Sequence, residues 1–266
     1  MIGVSSASGF TLHKWYADCT TGSGELLICY VATLAAGPLR LRYAASLELD
    51  APGARLRQRA SLRGGRVDAA EGSLALSSRA LGLAGTWTGG TATSPVVVAE
   101  SGGGRVEWQA LALDAAASVD RGGLRFRGVG YAEVVRLTLP PWRLPFRTLR
   151  WGRFVADDRA GALTWIETDG PQALARAWSP RVTQGSAAVV GDASVAGEAE
   201  RLTWSPGTTI RADRVASTLF GSLSPLTRLL PQGVRNLTED KRLSRGRLTD
   251  ASGTHAGWVV HEEVRW

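Results

Sequence analysis

The feature that most restricts the fold is an alternation of period two. From Leu39 to Leu49, Leu39, Leu41, Tyr43, Ala45, Leu47 and Leu49 alternate with Arg40, Arg42, Ala44, Ser46 and Glu48. Successive side chains of a strand point to opposite faces, so this spacing predicts one half-buried strand. The stretches 10–20 and 25–34 predict two more around a turn at Thr21-Gly22-Ser23-Gly24. Further strands are predicted at 74–78, 81–88, 95–100, 105–113, 124–127 and 131–139, with Gly or Asp turns between them. Short strands at such spacing build a barrel or a sandwich.

Pro140-Pro141-Trp142-Arg143-Leu144-Pro145 interrupts the pattern. Prolines this dense cannot occupy a central strand, so the segment predicts a connection between a domain at 1–139 and a second at 146–266. Strands are predicted again at 148–156, 162–168, 172–178, 194–204, 208–216, 243–249 and 257–266. Only 217–230 has the composition of a short helix, limited by Pro225. A chain of 266 residues accommodates two domains of ordinary size. The expected class is all-β, with two tandem β-barrel or β-sandwich domains.

The net charge of +7 and pI of 10.2 raise the question of a nucleic-acid partner. The positive charge is almost all arginine, since Lys14 and Lys241 are the only lysines. Arg40 and Arg42, Arg125 and Arg127, and Arg147, Arg150 and Arg153 alternate with other residues, as on the solvent face of a strand. No nucleic-acid partner is expected. No apolar run is long enough to cross a bilayer, so no transmembrane segment is expected. Residues 1–10 lack the basic start and apolar core of a secretion signal, which makes a cytoplasmic location the expectation. Cys19 and Cys29 flank the first turn; reduced, buried thiols are expected there, with a cross-strand disulfide as the alternative.

Walker, Rossmann, CxxC, HExxH and nucleophile-elbow signatures are absent. His13, His255 and His261 fall in separate segments, so neither a metal nor a cofactor is expected. Carboxylates on apolar strand faces remain. In 131–137, Tyr131, Glu133, Val135 and Leu137 share one face, and Ala132, Val134 and Arg136 the other. If the first face is buried, desolvation raises the Glu133 pKa and makes it a candidate proton donor; if it is solvated, Glu133 is inert. Glu262 shares a face with Trp258, Val260, Val264 and Trp266, where a buried structural tie or a ligand contact are the two readings. Tryptophans crowd the second half, either as core or as the lining of a ligand cavity.

The segments His13-Lys14-Trp15-Tyr16-Ala17-Asp18-Cys19, Gly128-Val129-Gly130-Tyr131-Ala132-Glu133, Leu149-Arg150-Trp151-Gly152-Arg153 and Gly257-Trp258-Val259-Val260-His261-Glu262 occur in this order. Together they resemble the carotenoid 1,2-hydratase (hydroxyneurosporene synthase) and AttH-like superfamily, which includes lipocalin-like Diels–Alderases. The resemblance implies two tandem lipocalin-like (calycin) domains. It also implies an acid within a Tyr-x-Asp element, supported by an upstream His-x-Trp. Tyr131 and Glu133 match the first element, with Glu for Asp. Trp108 matches the tryptophan of the second, while Val106 replaces the histidine. These departures imply an apolar pocket with one acid rather than literal carotenoid hydration.

Two classes of function follow. One is an enzyme of natural-product biosynthesis that cyclises, isomerises or hydrates a terpenoid, polyene or polyketide. There Glu133 and Tyr131 would be catalytic, and Trp108, Trp15, Trp151 and Glu262 would bind substrate; a shape-driven version needs no acid. The other is a carrier that holds a hydrophobic small-molecule ligand unchanged. A purely structural, partner-binding β-protein is a third reading.

Overall fold

A computed structural model describes residues 9–214 and 236–266; the expected helix at 217–230 lies outside the described residues. The chain divides into two compact units, Met1–Pro140 and Pro141–Trp266. Each is built on one ten-stranded sheet. The protein is all-β, with two tandem lipocalin-like units.

Unit 1 contains β1 (Phe10–Thr20), β2 (Leu26–Ala36), β3 (Leu39–Leu49), β4 (Arg57–Ser61), β5 (Arg66–Ala70), β6 (Ser73–Ser78), β7 (Leu83–Thr88), β8 (Val96–Ser101), β9 (Gly104–Arg121) and β10 (Leu124–Leu137). The order across the sheet is β4-β3-β2-β1-β10-β9-β7-β6-β5, with β8 paired to β9 off this path. All of these pairings are antiparallel. The edge strands β4 and β5 are consecutive in sequence, and the turn between them bridges the two edges. Ser78 Oγ donates to the Gly64 carbonyl at 2.9 Å. At Gly65 a Cβ would lie 2.6 Å from the Ser77 carbonyl and 2.8 Å from Val31 Cγ2, a close approach only glycine permits. The sheet is thereby nearly closed into a barrel, which leaves little edge exposed.

Unit 2 contains β11 (Thr148–Ala156), β12 (Ala162–Thr168), β13 (Leu174–Ser179), β14 (Val182–Ala187), β15 (Val189–Val190), β16 (Ser194–Ala196), β17 (Arg201–Trp204), β18 (Thr208–Arg214), β19 (Thr238–Asp250) and β20 (Gly253–Arg265). Its order, β14-β13-β12-β11-β20-β19-β17-β16-β15 with β18 on β19, repeats that of unit 1 strand for strand.

Each barrel buries one face of its sheet as the core. In unit 1 this face carries Ala17, Cys19, Cys29, Leu111, Ala132 and Val134 packed with Trp87. In unit 2 it carries Phe154, Leu163, Trp165, Leu202, Leu248 and Val259. Both cysteines are buried and joined in no disulfide. Several expectations needed correction. β9 and β10 run unbroken where shorter segments were expected, because Gly128 and Gly130 continue the strand instead of turning it. A Cβ at Gly130 would lie 2.5 Å from the Asp18 carbonyl and 2.7 Å from Trp87 Cδ1. β4 and β5 were not anticipated, since their side chains are almost all exposed and carry no apolar alternation. Arg153, expected on a solvent face, is 0% exposed, and its guanidinium donates to the Trp258 carbonyl at 2.9 Å. Among the described residues no helix is long and apolar enough to cross a membrane.

Candidate functional site

The alternation of β10 sends Ala132 and Val134 into the barrel core and turns Tyr131 and Glu133 to the reverse face of the sheet. Glu133 is nonetheless only 6% exposed. Its Oε2 accepts two hydrogen bonds, from Trp108 Nε1 at 2.5 Å and from the Tyr131 hydroxyl at 2.8 Å. Trp108 comes from β9, where it pairs with Val135, so it reaches Glu133 diagonally along the same face.

The neighbouring strand supplies a second dyad. β1 places Tyr16 opposite Glu133 and Asp18 opposite Tyr131. The Tyr16 hydroxyl donates to Asp18 Oδ2 at 2.7 Å, and both residues are buried. The Tyr16 ring meets Tyr131 edge-on at 6.1 Å and Tyr30 at 5.4 Å. The Asp18 main-chain carbonyl accepts Trp87 Nε1 at 2.5 Å, which ties this strand to the core tryptophan. Tyr16 and Asp18 had not been singled out from the sequence. The signal was present: Tyr16-Ala17-Asp18 repeats the form of Tyr131-Ala132-Glu133, and residues two apart on a strand share a face.

This arrangement suits proton transfer. A carboxylate oxygen only accepts when ionised, and Oε2 of Glu133 receives the Trp108 and Tyr131 donors. The tyrosine and indole donors fix the rotamer of the acid within a water-poor, aromatic setting.

Trp15 stands apart from this group. It lies on the interior face of the same sheet and lines a cavity of about 420 Å³ with Gln109, Leu111, Val134 and Arg136. The sheet therefore separates Trp15 from Glu133.

Trp151 and Glu262 form a third group, in unit 2. They face each other across β11 and β20, and Lys241 of β19 faces Glu262 from the other side. The Lys241 ammonium, in a side chain 1% exposed, bonds to Glu262, lies 3.3 Å from Glu239 Oε1 and sits 5.5 Å above the Trp151 ring. Arg211 extends the alternation of charge, donating to Glu239 at 2.8 Å. Glu262 is thus tied to a buried cation. On the interior face of β20, His261 meets Ser244 Oγ at 3.1 Å, and burial lowers its pKa to about 4.

Comparison with protein-family profiles and with curated protein sequences finds no match. Solved structures do match over nearly the whole chain. Kievitone hydratase from Nectria haematococca is 10% identical, with a TM-score of 0.60 over 98% of this chain and 93% of its own. An AttH candidate from Nitrosomonas europaea is 11% identical, with a TM-score of 0.58 over 99% and 94%. CghA, solved with Sch210972, is 12% identical, with a TM-score of 0.55 over 99% and 93%. At such identities the likeness is one of fold.

Proposed function

We propose that this protein binds an apolar small molecule and catalyses its hydration, isomerisation or cyclisation by proton transfer at Glu133. The observation that carries the reading is the buried Glu133 carboxylate held by Trp108 and Tyr131. The folds it resembles include one named a hydratase and one solved with a ligand, which supports chemistry on small molecules. In a hydration, the protonated Glu133 carboxyl gives its proton to one alkene carbon and water adds to the other. The proton released from that water returns to the carboxylate, so the net change is addition of one water. In an isomerisation or cyclisation the proton is recovered from the substrate itself. Tyr131 and Trp108 hold the acid in place, and the Tyr16 and Tyr131 ring faces stabilise cationic character next to it.

Turnover of a lipophilic metabolite extract from the protein's own host, run in D2O and followed by mass spectrometry, tests this. The expected result is a product with one solvent deuteron on carbon that Glu133→Gln no longer forms. Product formation by Glu133→Gln at the wild-type rate would sink the acid mechanism and leave shape catalysis. A ligand retained but chemically unchanged would make the protein a carrier.

A further inference from the structure

The barrel of unit 1 has a cavity on the face opposite Glu133. We infer that this cavity is a separate binding site for a small amphiphile with an apolar body and a carboxylate head, its head group received by Arg136. The inference does not depend on the chemistry at Glu133, because β10 directs Arg136 and Val134 inward and Glu133 outward.

The lining has a clear division. Trp15, Leu111 and Val134 provide an apolar floor continuous with the barrel core. Arg136 lines the same space, half-buried. Among the described residues its guanidinium has neither a hydrogen bond nor an ion pair. None of the groups beside it forms an ion pair or hydrogen bond with it among the described residues, so its guanidinium is left to water and to a ligand. Glu107, opposite it on β9, is paired with Arg105 at 3.2 Å. His13, opposite it on β1, is held below its usual pKa by burial and by Arg136 itself, so it is neutral at pH 7. Glu71 also lines the cavity, but it is exposed on the turn between β5 and β6, where water solvates it. A planar guanidinium open to the cavity matches a carboxylate two bonds at a time. The volume of about 420 Å³ lies in the range of small-molecule sites.

The experiment compares dodecanoate with dodecanol, which share a chain and differ in the head group, by calorimetric titration at pH 8. Dodecanoate is expected to bind about tenfold or more tightly than dodecanol, as charge-assisted hydrogen bonds warrant. Arg136→Gln should remove that preference while leaving dodecanol affinity within about twofold. Ala70→Trp, at the exposed mouth, should abolish binding of both without touching the core. Equal binding of the two probes to the native protein would overturn selection by charge. Failure of both to bind, or binding unaffected by Ala70→Trp, would overturn the site itself, whatever happens to turnover at Glu133.

Discussion

Tyr16 stands directly opposite Glu133 across the β1–β10 ladder, while each of these residues is hydrogen-bonded to, or accepts from, a partner two places along its own strand: Asp18 for Tyr16, Tyr131 for Glu133. The result is two Tyr-Ala-acid dyads laid head to tail, each tyrosine facing the other strand's acid. The pairing is a product of strand geometry alone, since an antiparallel register that aligns one such pair aligns the other.

Removing one donor from Glu133 should be felt in stability as well as in turnover. Trp108→Phe removes the indole donor to Oε2 and keeps that of the Tyr131 hydroxyl, inside a site where Glu133 is 6% exposed. A loss of about 1–3 kcal/mol is expected in urea denaturation. An unchanged midpoint would show that the indole bond contributes nothing.

Lys241 should be intolerant of single replacement. Lys241→Met removes the ammonium that Glu239 and Glu262 share, while Glu239 keeps its bond from Arg211. Breaking a buried pair in this way costs about 3–5 kcal/mol. The double variant Lys241→Met/Glu262→Gln should recover part of the loss, and a double variant no better than the single one would refute the pairing energetics.

His261 gives unit 2 a pH dependence with a definite sign. Its pKa is lowered from 6.5 in the unfolded chain to about 4 in the fold, chiefly by burial. Between these values the unfolded chain binds more protons, so stability is complete above pH 6.5 and falls as the pH drops toward 4. The loss attributable to this residue is roughly 2–4 kcal/mol. Chemical denaturation across that window should show the slope, and His261→Gln should flatten it.

The thiols of Cys19 and Cys29 lie in the barrel core, and burial raises the pKa of Cys29. Since the thiolate is the reactive form, neither should react with Ellman's reagent in the native protein. Both should react after unfolding in urea. Rapid labelling of the native protein would mean that the barrel opens.

The all-β class could be read from the sequence where apolar residues recur in short runs between turns, as β3, β11 and β12 show. It could not be read where almost every side chain is exposed, as in β4 and β5. Glu48 looked like a solvent residue of β3, yet it is 1% exposed and paired with Arg121 and Arg57. In the candidate site, the sequence showed that Tyr131 and Glu133 share a face, and the family resemblance singled out Trp108, which bonds to Glu133. It did not show which face is the barrel interior, because Ala132 and Val134 are as apolar as the setting of Tyr131. That ambiguity put Trp15 in one group with Glu133, though the sheet lies between them.

The first and last strands of each unit are hydrogen-bonded neighbours in the middle of its sheet, Leu12 facing Leu137 in one and Thr148 facing Arg265 in the other. A unit so arranged completes itself where its chain begins and ends, which is what a gene segment needs in order to be copied whole. On the matching last strands, one unit surrounds its glutamate with hydroxyl and indole donors, while the other holds its glutamate against a lysine.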